Sequence, residues 1–128
     1  MERLNLRRAD AQKALETFKS ILREPYSVII RDATIQRFEY TFEAFWKFLK
    51  DYLKEKEGVE ANTPKAVFRA LFTAGYLSEV ETVEFLEMTD CRNETSHTYK
   101  EAVVQTIYEK AKDYPDMMEG LLDKLEAK

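Results

Sequence analysis

The run Arg92-Asn93-Glu94-Thr95-Ser96-His97-Thr98-Tyr99 gathers the residue types that phosphate chemistry uses, and it holds the chain's only histidine. A histidine can take or give a proton near neutral pH. An arginine is permanently charged and grips phosphate oxygens with a planar fork. Together, and without a metal, the two suffice to cleave RNA through its own 2′-OH. The base withdraws that proton while the guanidinium stabilises the charge developing at phosphorus. Spacing restricts how they can cooperate. Arg92 and His97 are five residues apart, which on an unbroken helix separates them by about 140°. They converge only if the helix ends between them or if a second copy of the chain supplies the other half. Asn93 and His97, four apart, share a face if the helix persists. On spacing alone a structural polar cluster is the simpler account, because Arg-x4-His arises by chance in helical proteins.

Other chemistries fit less well. Cys91 and His97, with Asp90 or Glu94, offer metal donors, but one Cys and one His with no second cluster match no common zinc spacing, so no metal and no cofactor is expected. Ser96 and His97 are sequence neighbours, and adjacent side chains rarely face one another as a nucleophile and its base must. Lys65 and Arg69, four apart on one helical face, form a candidate substrate-binding pair for phosphate, weighed against a plain solvated face. Arg7 and Arg8 read as a solvated helix start rather than a phosphate clamp.

The elements that must position this stretch are helical. Three Gly and three Pro in 128 residues leave little for hairpins or long loops, and the length suits one domain, 1–128, with a single core. A first helix from Leu4 to Arg23 carries Ala11, Leu15, Phe18 and Leu22 at 4-3-4 spacing, with Pro25 beyond it. The segment Tyr26–Arg31 has some strand propensity but is too isolated to build a sheet; it reads as a tight connection, with Asp32 capping helix two. Helix two then presents Ile35, Phe38, Phe42, Phe45, Trp46, Leu49 and Leu53 as bundle core, with Tyr40 and Phe48 towards its other side and Gly58 as its stop. Thr63-Pro64 opens helix three, whose apolar line is Ala66, Val67, Ala70 and Leu71.

Ser78-Glu79-Val80-Glu81 is a capping box and starts helix four. One face runs Val83, Leu86, Asp90, Asn93, His97, and the opposite face Phe85, Met88, Arg92, Tyr99. A helix apolar on both faces at its start and polar at its end predicts burial between helices or at a subunit contact, then a site. The spacing predicts a break around Thr95–Thr98, helix five from Lys100, and an interruption at Pro115 before a last segment ending near Leu125. The expected fold is an all-α, antiparallel up-and-down bundle of four main helices plus a broken C-terminal one.

Composition bounds the partners. Twenty-four acidic and 20 basic residues give a net charge of −4, so binding to DNA or RNA by general electrostatics is not expected, and any RNA contact must be a local cationic pocket. A single cysteine fits a reducing compartment. No apolar run approaches the roughly 20 residues that span a bilayer, and the start lacks the apolar core of a secretory signal. A cytoplasmic location with no membrane contact is the expectation.

Arg92-Asn93-x-x-Ser96-His97-x-Tyr99, the Arg-Leu-x-Leu-Arg start, the aromatic-rich second helix from Phe38 to Trp46, and Thr63-Pro64 opening the third resemble, over essentially the full length, the HEPN superfamily and its nucleotidyltransferase substrate-binding protein branch. The resemblance implies a small helical bundle that forms a homodimer, with two Arg-x4-His motifs facing one cleft. It also implies a minimal nucleotidyltransferase partner, and a toxin-antitoxin-type pair in which the bundle is a metal-independent ribonuclease. Carried over, His97 is the general acid/base, Arg92 the phosphate and transition-state group, Asn93 a polar orienter, and Tyr99 the acceptor of AMP from the partner. The alternative it leaves open is a non-catalytic subunit that binds nucleotide or substrate for the transferase.

Overall fold

Three of the helices begin where the sequence supplies a side chain to occupy a free N–H group of the first turn. The computed structural model describes residues 2–126, which form α1 (Glu2–Leu22), α2 (Val28–Glu57), α3 (Pro64–Thr73), α4 (Glu79–Glu94), a 3-10 turn (Thr95–His97), α5 (Glu101–Ala111) and α6 (Tyr114–Glu126). Ser27 caps α2, its hydroxyl accepting from the Ile30 N–H at 3.0 Å. This corrects the expectation that Asp32 does so: α2 starts a turn earlier, and the strand-like Val28-Ile29-Ile30 is its first turn. Tertiary context has overridden local propensity there. Thr63 caps α3 with Pro64 in its first turn. Ser78 and Glu81 form the reciprocal capping box of α4, and its hydrogen bond from the Ser78 N–H is the main reason the Glu81 carboxyl sits below its usual range. Gly58 ends α2 at φ 66°, the left-handed conformation that favours glycine.

α2 is the axis of the bundle. α1 packs along it from one side, while α3, α4 and α5 also rest on it, and α6 returns to α1. Phe38, Phe42, Phe45 and Phe48 of α2 are all buried, with Leu49, Tyr52 and Leu53. Phe48, expected on the outer side, lies inside, with the Arg8 guanidinium over its ring at 4.7 Å. Buried positions therefore cover more of α2 than one stripe, because the helix has neighbours on several sides. Phe45, Phe68 and Phe85 tie α2, α3 and α4 together; the Phe68 and Phe85 rings stack at 4.9 Å with an interplanar angle of 11°. The sequence expectation of an all-α bundle matches this architecture.

Two finer expectations change. In α1 it is Ile21 rather than Leu22 that is buried. At the C-terminal end, Pro115 lies in the first turn of α6 and so opens that helix; the break falls at residues 112–113. No helix among the described residues is long and apolar enough to cross a membrane.

Candidate functional site

α4 changes character along its length. Thr82, Phe85, Met88, Thr89 and Cys91 face the core, whereas Val80 and Val83 are exposed. The inward face is thus the one that carries Phe85 and Met88. The line through Val83, Asp90, Asn93 and His97 looks outward.

Arg92 follows the inward face and meets α2. Its Nη1 donates to Thr95 Oγ1 at 2.8 Å and lies 3.5 Å from Glu39 Oε2, while Nη2 is 3.9 Å from Glu43 Oε2. Thr95 Oγ1 is itself 3.0 Å from Glu39 Oε2 and 2.6 Å from the Arg92 carbonyl. Thr95 thereby knots the end of α4, its own turn and α2 at one point. Arg92 Nε is enclosed and has no hydrogen-bond partner among the described residues. The guanidinium is held through its two terminal nitrogens by two carboxylates and a hydroxyl, while the enclosed Nε–H reaches no acceptor and is closed to a ligand.

α4 ends at Glu94 and tightens into the 3-10 turn Thr95–His97, so the break expected between Arg92 and His97 is present. His97 and Tyr99 lie in solvent, with Tyr99 75% exposed. The Tyr99 hydroxyl is 3.4 Å from His97 Nδ1, and the two rings meet edge to face at 5.9 Å. The Lys100 ammonium lies 5.7 Å from the Tyr99 ring centroid. Within one chain, Arg92 is grouped with Thr95, and His97 with Tyr99; no hydrogen bond or ion pair among the described residues joins the two pairs. Asn93 is exposed and accepts the Ser96 hydroxyl through its backbone carbonyl at 2.9 Å. Lys65 is paired with Asp90 of α4 at 2.6 Å, and Arg69 is exposed, so these two cations stand apart from the Arg92 cluster.

Sequence reasoning missed Glu39 and Glu43. They lie four apart on the half-polar side of α2, where they look like ordinary solvated charges; only the docking of α4 makes them partners of Arg92. The signal, visible in retrospect, was Trp46, whose indole donates to Glu43 Oε2 at 3.3 Å and closes this side of the helix. Cys91 is buried, and burial pushes its thiol above the ordinary range, so it serves packing and not nucleophilic chemistry. Among the described residues, no group of three or more His, Cys, Asp or Glu is arranged to hold a metal ion.

A protein of Thermus thermophilus with a known crystal structure shares 47% identity with this chain, at a TM-score of 0.85 over 90% of this chain and 98% of that one. A tri-AMPylated Shewanella oneidensis HEPN toxin, solved in complex with an MNT antitoxin, shares the fold at a TM-score of 0.79 and 12% identity, covering 98% of this chain and 97% of the toxin. A Haemophilus influenzae protein described as the substrate binding domain of a nucleotidyltransferase shares it at 0.64 and 19%, over 98% of each chain. No curated protein sequence matches. The profile of one family, described as nucleotidyltransferase substrate binding protein like, matches residues 6–127, and the chain belongs to that family.

Proposed function

We propose that the chain is the HEPN component of a pair with a minimal nucleotidyltransferase, and that two copies form a cleft in which RNA is cut without a metal. His97 is the general acid/base that withdraws the 2′-OH proton, Arg92 binds the phosphate and the charge that builds on it, and Asn93 orients the group between them. The observation behind this reading is the end of α4 between Arg92 and His97. The break does not bring the two side chains of one chain together: Arg92 faces α2 and His97 faces solvent, as the two halves of a cleft shared between copies would require. It leaves the imidazole in solvent, one turn beyond a half-buried guanidinium. Homodimerisation supplies what one chain lacks, since Arg92 and His97 of the same chain do not touch. Lys65 and Arg69 remain outlying cations for the RNA backbone. The family to which the chain belongs, and the toxin complex whose fold it shares, support the transferase as partner.

Tyr99 is the acceptor through which the partner silences the cleft. Its phenolic oxygen bonds to the α-phosphorus of ATP, the bond to pyrophosphate breaks, and the phenolic proton passes to solvent. Exposure of 75% gives a transferase room to reach it. The added phosphate would place negative charge beside His97, where RNA phosphate must lie.

A second reading has its own observation. Arg92 is already flanked by Glu39 and Glu43, and a guanidinium so engaged is a weaker phosphate clamp than a free one. The bundle then binds nucleotide or substrate for the transferase and cuts nothing. Incubating purified protein with RNA in EDTA separates the two. Cleavage that His97→Ala abolishes, with the dimer retained, supports the nuclease; intact RNA beside measurable nucleotide binding supports the binding subunit.

A further inference from the structure

A trough runs between α4 and α5 and begins where the chain turns from the first of these helices into the second. Its upper part is a cavity of about 370 Å³. A second cavity, of about 220 Å³, continues it towards α6, and Glu87 and Lys110 line both. Glu94 and Ala102 mark the upper end, and they flank the connection 95–100 that carries His97 and Tyr99. Glu84 lies at the lower end. At about 1.5 Å of rise per residue, the stretch of α4 from Glu84 to Glu94 makes the trough about 15 Å long, nearly three helical turns.

The base of the trough is apolar and its rim is acidic. Cys91 and Ile107 are buried at the base, and Ala102 and Val103 line it from α5. Thr106, also on α5, turns its hydroxyl onto the Ala102 carbonyl at 2.9 Å, so its polar atom is already satisfied within the helix. Small side chains on this face of α5 leave a hollow beside α4. Along the α4 edge, Glu84, Glu87 and Glu94 are exposed and make no ion pair among the described residues. Asp90 pairs with Lys65 of α3 at 2.6 Å. Asp113 adds a carboxylate at the lower end, and among the described residues Lys110 is the one cation that lines either cavity. An apolar hollow of this length between acidic edges has the form of a groove that receives an amphipathic helix.

We propose that the trough is the docking site of the partner nucleotidyltransferase, which lays into it a helix of about three turns with an aliphatic ridge flanked by Lys or Arg. The inference rests on the proposed pairing with a transferase and adds the surface through which the two chains meet. Charge decides among the possible occupants. RNA and an anionic membrane surface carry phosphates that the acidic rim repels. A second copy related by a two-fold axis sets the same patch against itself, so Glu84, Glu87 and Glu94 would face their own counterparts, and like charges so placed disfavour the contact. A cationic segment meets carboxylates that lack a partner, while its aliphatic ridge covers Cys91, Val103 and Ile107. Position supports the same occupant. A chain seated in the trough abuts the connection that carries Tyr99, the hydroxyl it must reach to transfer adenylate. Arg92 does not line the trough, so docking leaves its pairs with α2 in place.

The test is calorimetric titration of the intact protein with its cognate transferase, for the wild type, for Thr106→Trp and for the double variant Glu87→Lys with Glu94→Lys. All three positions are exposed, so both variants should melt as the wild type does. The indole at 106 fills the trough, and the double variant reverses two charges of its rim. The expected result is binding weaker by about tenfold or more in each, a matching fall in adenylate transfer to Tyr99, and a wild-type affinity that drops as salt is raised. Homodimerisation in sedimentation runs, and any metal-free RNA cleavage, should stay at the wild-type level. Undiminished binding in either variant, or a wild-type affinity indifferent to salt, overturns the docking site and leaves the pairing standing. Absence of any complex with the wild type removes the pairing itself and this inference with it. Dissociation of the homodimer by Thr106→Trp assigns the trough to a second copy and likewise overturns the proposal. A wild type that cuts no RNA, yet whose two variants both lose the transferase, removes the nuclease and upholds the docking site.

Discussion

The two ends of α4 are held in place by different physics. At its N-terminal half Phe85 stacks on Phe68 and leans on Phe45, all three buried, and the backbone of three helices is fixed by ring surface that water never reaches. At its C-terminal end Arg92 is fixed by Thr95, Glu39 and Glu43, and at the end of the turn the His97 and Tyr99 side chains lie against each other in solvent. Apolar packing is not exchangeable with a ligand, whereas hydrogen bonds and ion pairs at a half-exposed surface are. A phosphate or a base can therefore replace a partner at the second region without disturbing the first. The helix acts as a rigid arm whose inner half carries the stability and whose outer end carries the exchangeable groups.

The comparison is tested most severely by truncating the core. Phe68→Ala empties the space between α2 and α4, and such a change costs about 3–5 kcal/mol. Urea unfolding should show that loss with a slope close to the wild type's. A loss under about 1 kcal/mol, the size of an ordinary substitution, would mean that the ring stack is not what anchors α4.

Arg92→Ala should cost less, about 1–2 kcal/mol, because its partners are partly exposed and solvent compensates them. The variant leaves Glu39 and Glu43, four apart on one face of α2, without their shared cation. Adding Glu39→Gln to Arg92→Ala should restore part of the loss. Failure of that double variant to recover anything would show that Arg92 acts through packing of its stem rather than through charge.

How much of this was legible in the sequence follows the same divide. Phe38, Phe42 and Phe45 of α2, the Thr63 and Ser78 caps and the Gly58 stop were readable because helical period and capping act within a few residues. The break after Glu94 was readable too, from the change of polarity along one helix. What escaped was set by distant contacts. Phe48 is inside because α1 covers α2 from a second direction, with Arg8 over its ring. Ser27 caps α2 in place of Asp32 because Asp32 lies inside the helix, where its carboxylate serves Arg31 instead. Glu39 and Glu43 gain meaning only from Arg92, far along the chain, and no local pattern announces such a pairing.

The capping box offers a smaller and pH-sensitive effect. Ser78→Ala removes one of its two bonds and should cost about 1 kcal/mol. Glu81 is held below the usual glutamate range, first by the Ser78 N–H and further by Lys124. A carboxyl depressed on folding adds stability above its unfolded pKa, and that stability is lost as pH falls through the folded value. Glu81→Gln should therefore flatten the decline of stability on acidification. An unchanged acid limb would place the main acid-sensitive group elsewhere in the fold.

Tyr99→Phe should change stability least of all and still separate the two regions most cleanly. It removes one hydroxyl from a side chain that is 75% exposed, together with that hydroxyl's 3.4 Å contact to His97. Surface changes of this kind stay within about 0.5 kcal/mol. Yet in the presence of a cognate transferase, ATP and Mg²⁺, the wild type should gain adenylate mass and the variant should not, because the variant lacks the phenolic oxygen that we propose as the nucleophile. Metal-free RNA cleavage by the variant should persist, and the transferase should no longer suppress it. If the variant is modified as readily as the wild type, the acceptor is another hydroxyl. If it loses cleavage while keeping its fold, Tyr99 belongs with His97 in the reaction itself, and the outer end of α4 holds one more working group than the comparison assigns to it.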